Sequence, residues 1–238
     1  MNASVRQASA TALTMNASAR HLQQRLMSGK KGGSSHRYMA RQLRDPFVRK
    51  AQAEQFRARS SFKLLELLDK HKLVPPRDQW VVDCGAAPGG WSQVVARRHS
   101  RIVAVDLLPM QPIAQVRFVQ GDFLQPATKA QIAELLGGQK VGLLLSDMAP
   151  SFTGHHAVDA ARTMALCEDI IEFSGEFLAL GGSMVVKFFM GGGEPEMRQA
   201  LRRLFERVCI EKPAASRRQS SEQYFVCIRK LPQDSPQT

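Results

Sequence analysis

The chain is poor in residues that staple small folds. Its four cysteines (Cys84, Cys167, Cys209 and Cys227) include no C-x-x-C pair, which argues against a zinc ribbon or a disulfide scaffold and fits a reducing compartment. No uncharged apolar run reaches the roughly 18 residues that a membrane-spanning helix requires. No internal repeat is found, so solenoids and propellers are not indicated. The most telling absence is local: between Met1 and Arg44 there is no Asp or Glu.

What remains is the composition of a folded enzyme. The 238 residues are 44% hydrophobic and 23% charged, which excludes a wholly disordered chain, a collagen and a coiled coil. One large α/β domain with an appendage is the expectation. Lys and Arg number 33 against 21 Asp and Glu, a formal net charge of +12. Residues 1–63 hold 13 of the cations and only 2 acids, whereas residues 64–238 hold 20 and 19. Such asymmetry points to a polyanionic partner, a targeting segment, or both. The acid-poor, Arg- and Ser-containing start resembles a mitochondrial transit peptide, with a flexible RNA-touching arm as the alternative reading. Residues 1–36 are therefore expected to be a leader, 37–230 the folded domain and 231–238 a tail. The expected location is mitochondrial, with a bacterial-type cytoplasm as the alternative.

From Asp45 and Pro46 a helical pattern begins, capped by the first and opened by the second, and a helical segment over 41–63 carries cations toward the active face. Strands are expected at 80–84, 102–105, 116–119, 141–146 and 184–189, with helices between them and a glycine break at Gly181–Gly182. Two further strands, near 208–211 and 224–229, suggest an antiparallel edge. Apolar strands that alternate with helices predict a mostly parallel seven-stranded sheet covered on both faces. Gly191–Gly193 reads as a mobile loop near the site, and His155 and His156 as loop residues. No metal is expected.

In open α/β sheets, ligands bind beyond the carboxyl ends of the strands. Asp83, Asp106, Asp122 and Asp147 fall there, together with the turn Gly85-Ala86-Ala87-Pro88-Gly89-Gly90-Trp91. A dinucleotide would call for G-x-G-x-x-G spacing, which this turn lacks. S-adenosylmethionine has no phosphate but carries a sulfonium and an ammonium, which suit a rim of carboxylates. The pattern thus indicates a nucleoside-bearing cofactor. Asp106 is placed for ribose hydroxyls, Asp122 for the adenine amino group and Asp147 for the methionine end.

The blocks Val82–Gln93, Val105–Met110, Gln120–Phe123 and Leu145–Pro150 resemble, in order and spacing, signatures of the FtsJ/RrmJ family of RNA ribose 2′-O-methyltransferases. So do Arg57–Leu64, Val185–Phe188 and Lys212–Tyr224. The resemblance implies a Rossmann-like methyltransferase fold that uses S-adenosyl-L-methionine on a uridine in large-subunit ribosomal RNA, within an assembling ribosomal particle. It also implies a catalytic tetrad of Lys63, Asp147, Lys187 and Glu222, and cofactor contacts at Gly85, Gly89, Trp91, Asp106, Asp122 and Asp147. Cys84 stands where bacterial members usually have Leu.

The chemistry asks for such a tetrad. A ribose hydroxyl is a weak nucleophile, so its oxygen must be oriented for in-line attack and its charge managed. Lys187 is the expected group, either as a base or as a cation, with Lys63 and Glu222 setting the local charge. Arg217 and Arg218 extend the basic face toward RNA. Two other readings stay open: a catalytically silent ribosome-assembly factor with the same fold, and a dinucleotide-dependent oxidoreductase.

Overall fold

Residues 45–232 are described by the computed structural model. The chain divides into two units, Met1–Asp45 and Pro46–Thr238, and the second contains every element named below. The expected leader, and all but two residues of the expected tail, lie outside the described residues.

The elements run α1 (Pro46–Ala53), α2 (Ser61–His71), β1 (Trp80–Cys84), α3 (Gly90–Ala96), β2 (Ile102–Asp106), β3 (Val116–Gln120), α4 (Pro126–Leu136), β4 (Val141–Ser146), α5 (His156–Phe177), β5 (Leu178–Phe189), α6 (Glu194–Leu204), β6 (Phe205–Glu211) and β7 (Glu222–Lys230). The seven strands form one sheet in the order β3-β2-β1-β4-β5-β7-β6. Pairings from β3 through to β5 are parallel, and β7 is antiparallel to both β5 and β6. The last strand therefore inserts inside the edge and leaves β6 outermost.

Burial explains why the central strands lack polar alternation. On one face Val82, Cys84 and Leu144 pack with Ile132 of α4, Cys167 and Phe173 of α5 and Leu201 of α6. On the other, Val81, Leu143 and Leu145 pack with Leu64 and Leu67 of α2 and Val94 of α3. Successive side chains of one strand thus enter two different cores, and both must be apolar. The order reverses direction between β1 and β4, which opens a crevice at their carboxyl ends.

Two expectations need correction. The described part of the 41–63 helix is not continuous: α1 ends at Ala53, Gln55 takes φ 58°, and α2 starts only at Ser61. A left-handed residue cannot continue a right-handed helix. The Gly181–Gly182 break lies inside β5 rather than before it. Val141 pairs with Leu178 and Leu143 with Ser183, so residues 179–182 bulge from the ladder, with Gly181 at φ 74°.

Candidate active site

The crevice begins with a close approach of two loops. Gly85, directly after β1, has φ 77°, and a Cβ there would lie 2.7 Å from Met148 Cγ and 2.9 Å from Met148 N. Only glycine lets the β1 and β4 ends meet in this way. Asp147 N donates to Cys84 O at 3.1 Å and completes the junction.

Beyond that junction lies a cavity of about 530 Å³, walled by Gly85, Asp106, Asp122, Phe123, Asp147 and Met148 among others. Four carboxylates, Asp106, Asp122, Asp147 and Asp169, against one cation, Arg162, thus border a partly apolar space, which suits a cationic ligand with an apolar ring. Asp106 Oδ2 accepts from Ala87 N and Oδ1 from Leu108 N, both at 2.8 Å, and Asp122 Oδ1 accepts from Leu124 N at 3.0 Å. These bonds fix each carboxylate, and each oxygen keeps a further lone pair for a ligand.

Gly89 and Trp91 do not wall this cavity. Gly89, at φ 109°, faces Arg57, Ile113 and Met110. Trp91 is buried, donates through Nε1 to Ser60 O at 3.0 Å, and packs against Tyr224 with ring centroids 5.7 Å apart. Its side chain thus packs toward the start of α2 and toward β7.

The four tetrad residues come together from four elements. Lys63 (α2) approaches Glu222 (β7) at 2.5 Å. Lys187 (β5) lies 3.2 Å from Asp147 Oδ1 and also donates to the Asp147 carbonyl. Tyr224 joins the two pairs. Its hydroxyl donates to Asp147 Oδ1 at 2.9 Å and accepts from Lys63 Nζ at 3.3 Å. Burial first, then the Asp147 and Glu222 carboxylates, push this phenol well above its ordinary value, so it stays a donor. Ser216 Oγ donates to Glu222 Oε1 at 2.9 Å. Glu222 thus has both Lys63 and Ser216 as hydrogen-bond partners.

Sequence reasoning gave Tyr224 no role. The available signal was strand periodicity: Glu222 and Tyr224 are two apart on β7 and share a face, and Tyr224 pairs with Lys187 across the ladder.

A second hollow, about 250 Å³, is lined by Lys63, Lys187 and Glu222 with Arg59, Arg217, Phe152, Phe189 and Ala149. Ala149 also lines the larger cavity, so one loop borders both. Burial and the neighbouring Arg217 lower the pKa of Arg59, while Glu222 opposes them. Two guanidinium groups held together in this way suit an anion at the mouth.

Arg57 points elsewhere than expected. Instead of facing a partner it donates to the carbonyls of Pro88, Gln111 and Pro112 at 3.2, 2.6 and 2.7 Å, and so ties the glycine turn to the β2–β3 loop. The Gly191 and Gly192 amides donate to the Glu194 carboxylate at 2.5 and 3.0 Å, which ties the glycine loop to the first residue of α6. His155 precedes α5 and His156 begins it, both exposed. Among the described residues, His71, Cys209 and Glu211 have ligand-type atoms near one another, but both Glu211 oxygens are engaged, by His71 and by Lys70.

Comparison with known proteins places this geometry. A family model described as FtsJ-like methyltransferase matches residues 56–230. The chain is 44% identical over 196 residues to "Ribosomal RNA large subunit methyltransferase E" of Pseudomonas fluorescens, covering 81% of this chain and 93% of the relative. It is 42% identical over 217 residues to the protein of that name from Sinorhizobium fredii, covering 89% and 88%. A solved structure from Plasmodium falciparum, described as a ribosomal RNA methyltransferase, superposes with a TM-score of 0.67 at 28% identity, covering 75% of this chain and all of that one.

Proposed function

The chain belongs to the FtsJ-like methyltransferase family, and from that premise we propose that it transfers a methyl group from S-adenosylmethionine to the ribose 2′-hydroxyl of a uridine in large-subunit ribosomal RNA, acting during ribosome assembly. One observation carries the reading: Lys63, Asp147, Lys187 and Glu222, with Tyr224 between them, meet beside a carboxylate-lined cavity.

The residues fit the methyl donor. Asp106 and Asp122 would hold its nucleoside, and Asp147 its charged methionine end; the donor supplies an electrophilic methyl. Phe123 and Met148 supply apolar walls. The acceptor enters from the hollow on the other side of Ala149. Lys187, as an ammonium, gives two of its three N–H groups to Asp147. The third is left for the 2′-oxygen, which it orients while stabilising the negative charge that builds there. As the O–CH3 bond forms and the S–CH3 bond breaks, the hydroxyl proton passes to solvent water and S-adenosylhomocysteine is released. The two acceptors on Asp147 favour this role over that of a neutral amine acting as base. Lys63 and Glu222 neutralise one another, and Tyr224 keeps their pair in register with Asp147.

Arg59 and Arg217 at the mouth suit the phosphates that position an RNA strand. The basic, acid-poor first 44 residues support action in a mitochondrion, and a reporter fused behind them tests that location.

The test of the reaction is methyl transfer to large-subunit ribosomal RNA, free and within particles that lack the modification. Nuclease digests should contain 2′-O-methyluridine, and Lys187→Ala should abolish it. A methyl group on a base would refute the reading, and cofactor binding without any transfer would leave a silent assembly factor. Binding to the RNA should weaken steeply with salt as counterions are released.

A further inference from the structure

An exposed aromatic ring stands where the acceptor must enter. Phe152 is 63% exposed, in the loop between β4 and α5, and lines the hollow that also contains Lys63, Lys187 and Glu222. Burying a phenylalanine is favourable, so leaving one in water at the mouth of a site calls for an account. The ring is not loose. It meets the buried Phe189 edge to face, with centroids 5.2 Å apart and planes at 72°.

The backbone that presents the ring is also held. Thr153 N and Oγ1 each donate to Asp159 Oδ1 at 2.8 Å, and Gly154 N donates to Asp159 Oδ2 at 3.2 Å. Arg162 donates to Ser151 O on the other side. Phe152 is thus a largely exposed ring on a braced loop, in edge-to-face contact with a second, buried ring.

Its surroundings select the partner. Arg59 and Arg217 share the hollow with the Lys63–Glu222 pair and with Lys187, itself paired with Asp147, which disfavours a greasy peptide and favours a flat, apolar group attached to phosphates. A nucleobase on an RNA strand has that chemistry, because unstacked bases are received on aromatic rings. Resting on the methyltransferase reading above, we infer that Phe152 is the stacking platform for the base of the acceptor nucleotide, and that Phe189 buttresses it. Stacking there would place the sugar toward Lys187 and fix which nucleotide offers its hydroxyl.

The experiment uses the full chain and large-subunit particles that lack the modification. Phe152→Ala should raise KM about tenfold, as loss of one base–aromatic stack implies. Its melting temperature and its affinity for S-adenosylhomocysteine should stay near wild type. Phe152→Trp should restore KM, and Phe152→Leu, apolar but without a π-face, should not. An unchanged KM in Phe152→Ala, or full rescue by Leu, would overturn the inference while leaving the methyltransferase reading intact. A wild-type chain that methylates no ribosomal RNA would overturn that reading, and this inference with it.

Discussion

Lys187 and Tyr224 face one another across the β5–β7 ladder, and both reach the same oxygen, Asp147 Oδ1, at 3.2 and 2.9 Å. An antiparallel register thus converts two strand positions into two donors on one carboxylate. Asp147 in turn sits at the end of β4, beside the cavity. The sheet itself thus sets how the Lys187–Tyr224 pair sits relative to that cavity.

Replacing Lys187 with Met keeps the aliphatic stem and removes the ammonium. Tyr224 still holds Asp147, so the fold should survive. We expect kcat for methyl transfer to fall by about 10²–10³-fold, the usual cost of one preorganised donor. Affinity for S-adenosylhomocysteine, measured by calorimetry, should change little. Lys187→Arg should not rescue, because a planar fork cannot replace a compact ammonium in this geometry.

Lys63 and Glu222 test the electrostatics differently. Their side chains are only 11% and 12% exposed, so removing either leaves the other charge buried without its partner. Glu222→Ala should lower unfolding free energy by about 3–5 kcal/mol. The double variant Lys63→Met/Glu222→Ala should recover much of that loss in urea titrations. Methyl transfer should stay defective in both. Recovery of activity with stability would mean that the pair acts only as a structural brace.

Much of the frame was legible in the sequence, for a physical reason. β1 and β4 are continuous apolar runs bounded by turn residues, and their observed limits, Trp80–Cys84 and Val141–Ser146, match the expected ones. The meeting of Lys63, Asp147, Lys187 and Glu222 was legible only through the family resemblance, because Lys63 and Glu222 are 159 residues apart and no local pattern joins them. What escaped was decided by tertiary contacts. Gln55 breaks a segment whose composition reads as helix, and the bulge at residues 179–182 arises from register with β4. Trp91 belongs to a conspicuous turn yet turns its ring away from the cavity toward Tyr224. Arg57 counted as one more cation until the carbonyls around it were known.

Arg57 therefore supports a prediction that its charge alone would not. Arg57→Ala removes hydrogen bonds to three loop carbonyls and should loosen the turn that borders the cofactor cavity. Affinity for S-adenosylhomocysteine should drop about tenfold, equivalent to the net worth of one or two such bonds. The slope of RNA affinity against salt should stay unchanged, because this guanidinium faces protein carbonyls. Arg217→Ala should do the reverse, sparing the cofactor and lowering the slope by about one.

Asp83 offers a pH test with a definite sign. It is fully buried on β1, its Oδ2 accepts from Ser92 Oγ at 2.6 Å, and its Oδ1 has no hydrogen-bond partner among the described residues. Burial raises its pKa to about 7, the Ser92 bond opposes the rise, and the Asp147 and Asp106 charges add to it. In the unfolded chain the same carboxyl ionises near 3.8. Between those values the folded state holds a proton that the unfolded state has released, so stability falls as pH rises from about 4 to about 7 and is level above. The full effect, about three pH units, is on the order of 4 kcal/mol. Asp83→Asn cannot ionise and should lack this decline. Unfolding free energies at pH 5 and pH 8 should therefore converge in the variant relative to wild type. A wild type that gains stability over Asp83→Asn across that interval would show that the carboxylate is stabilised in the fold.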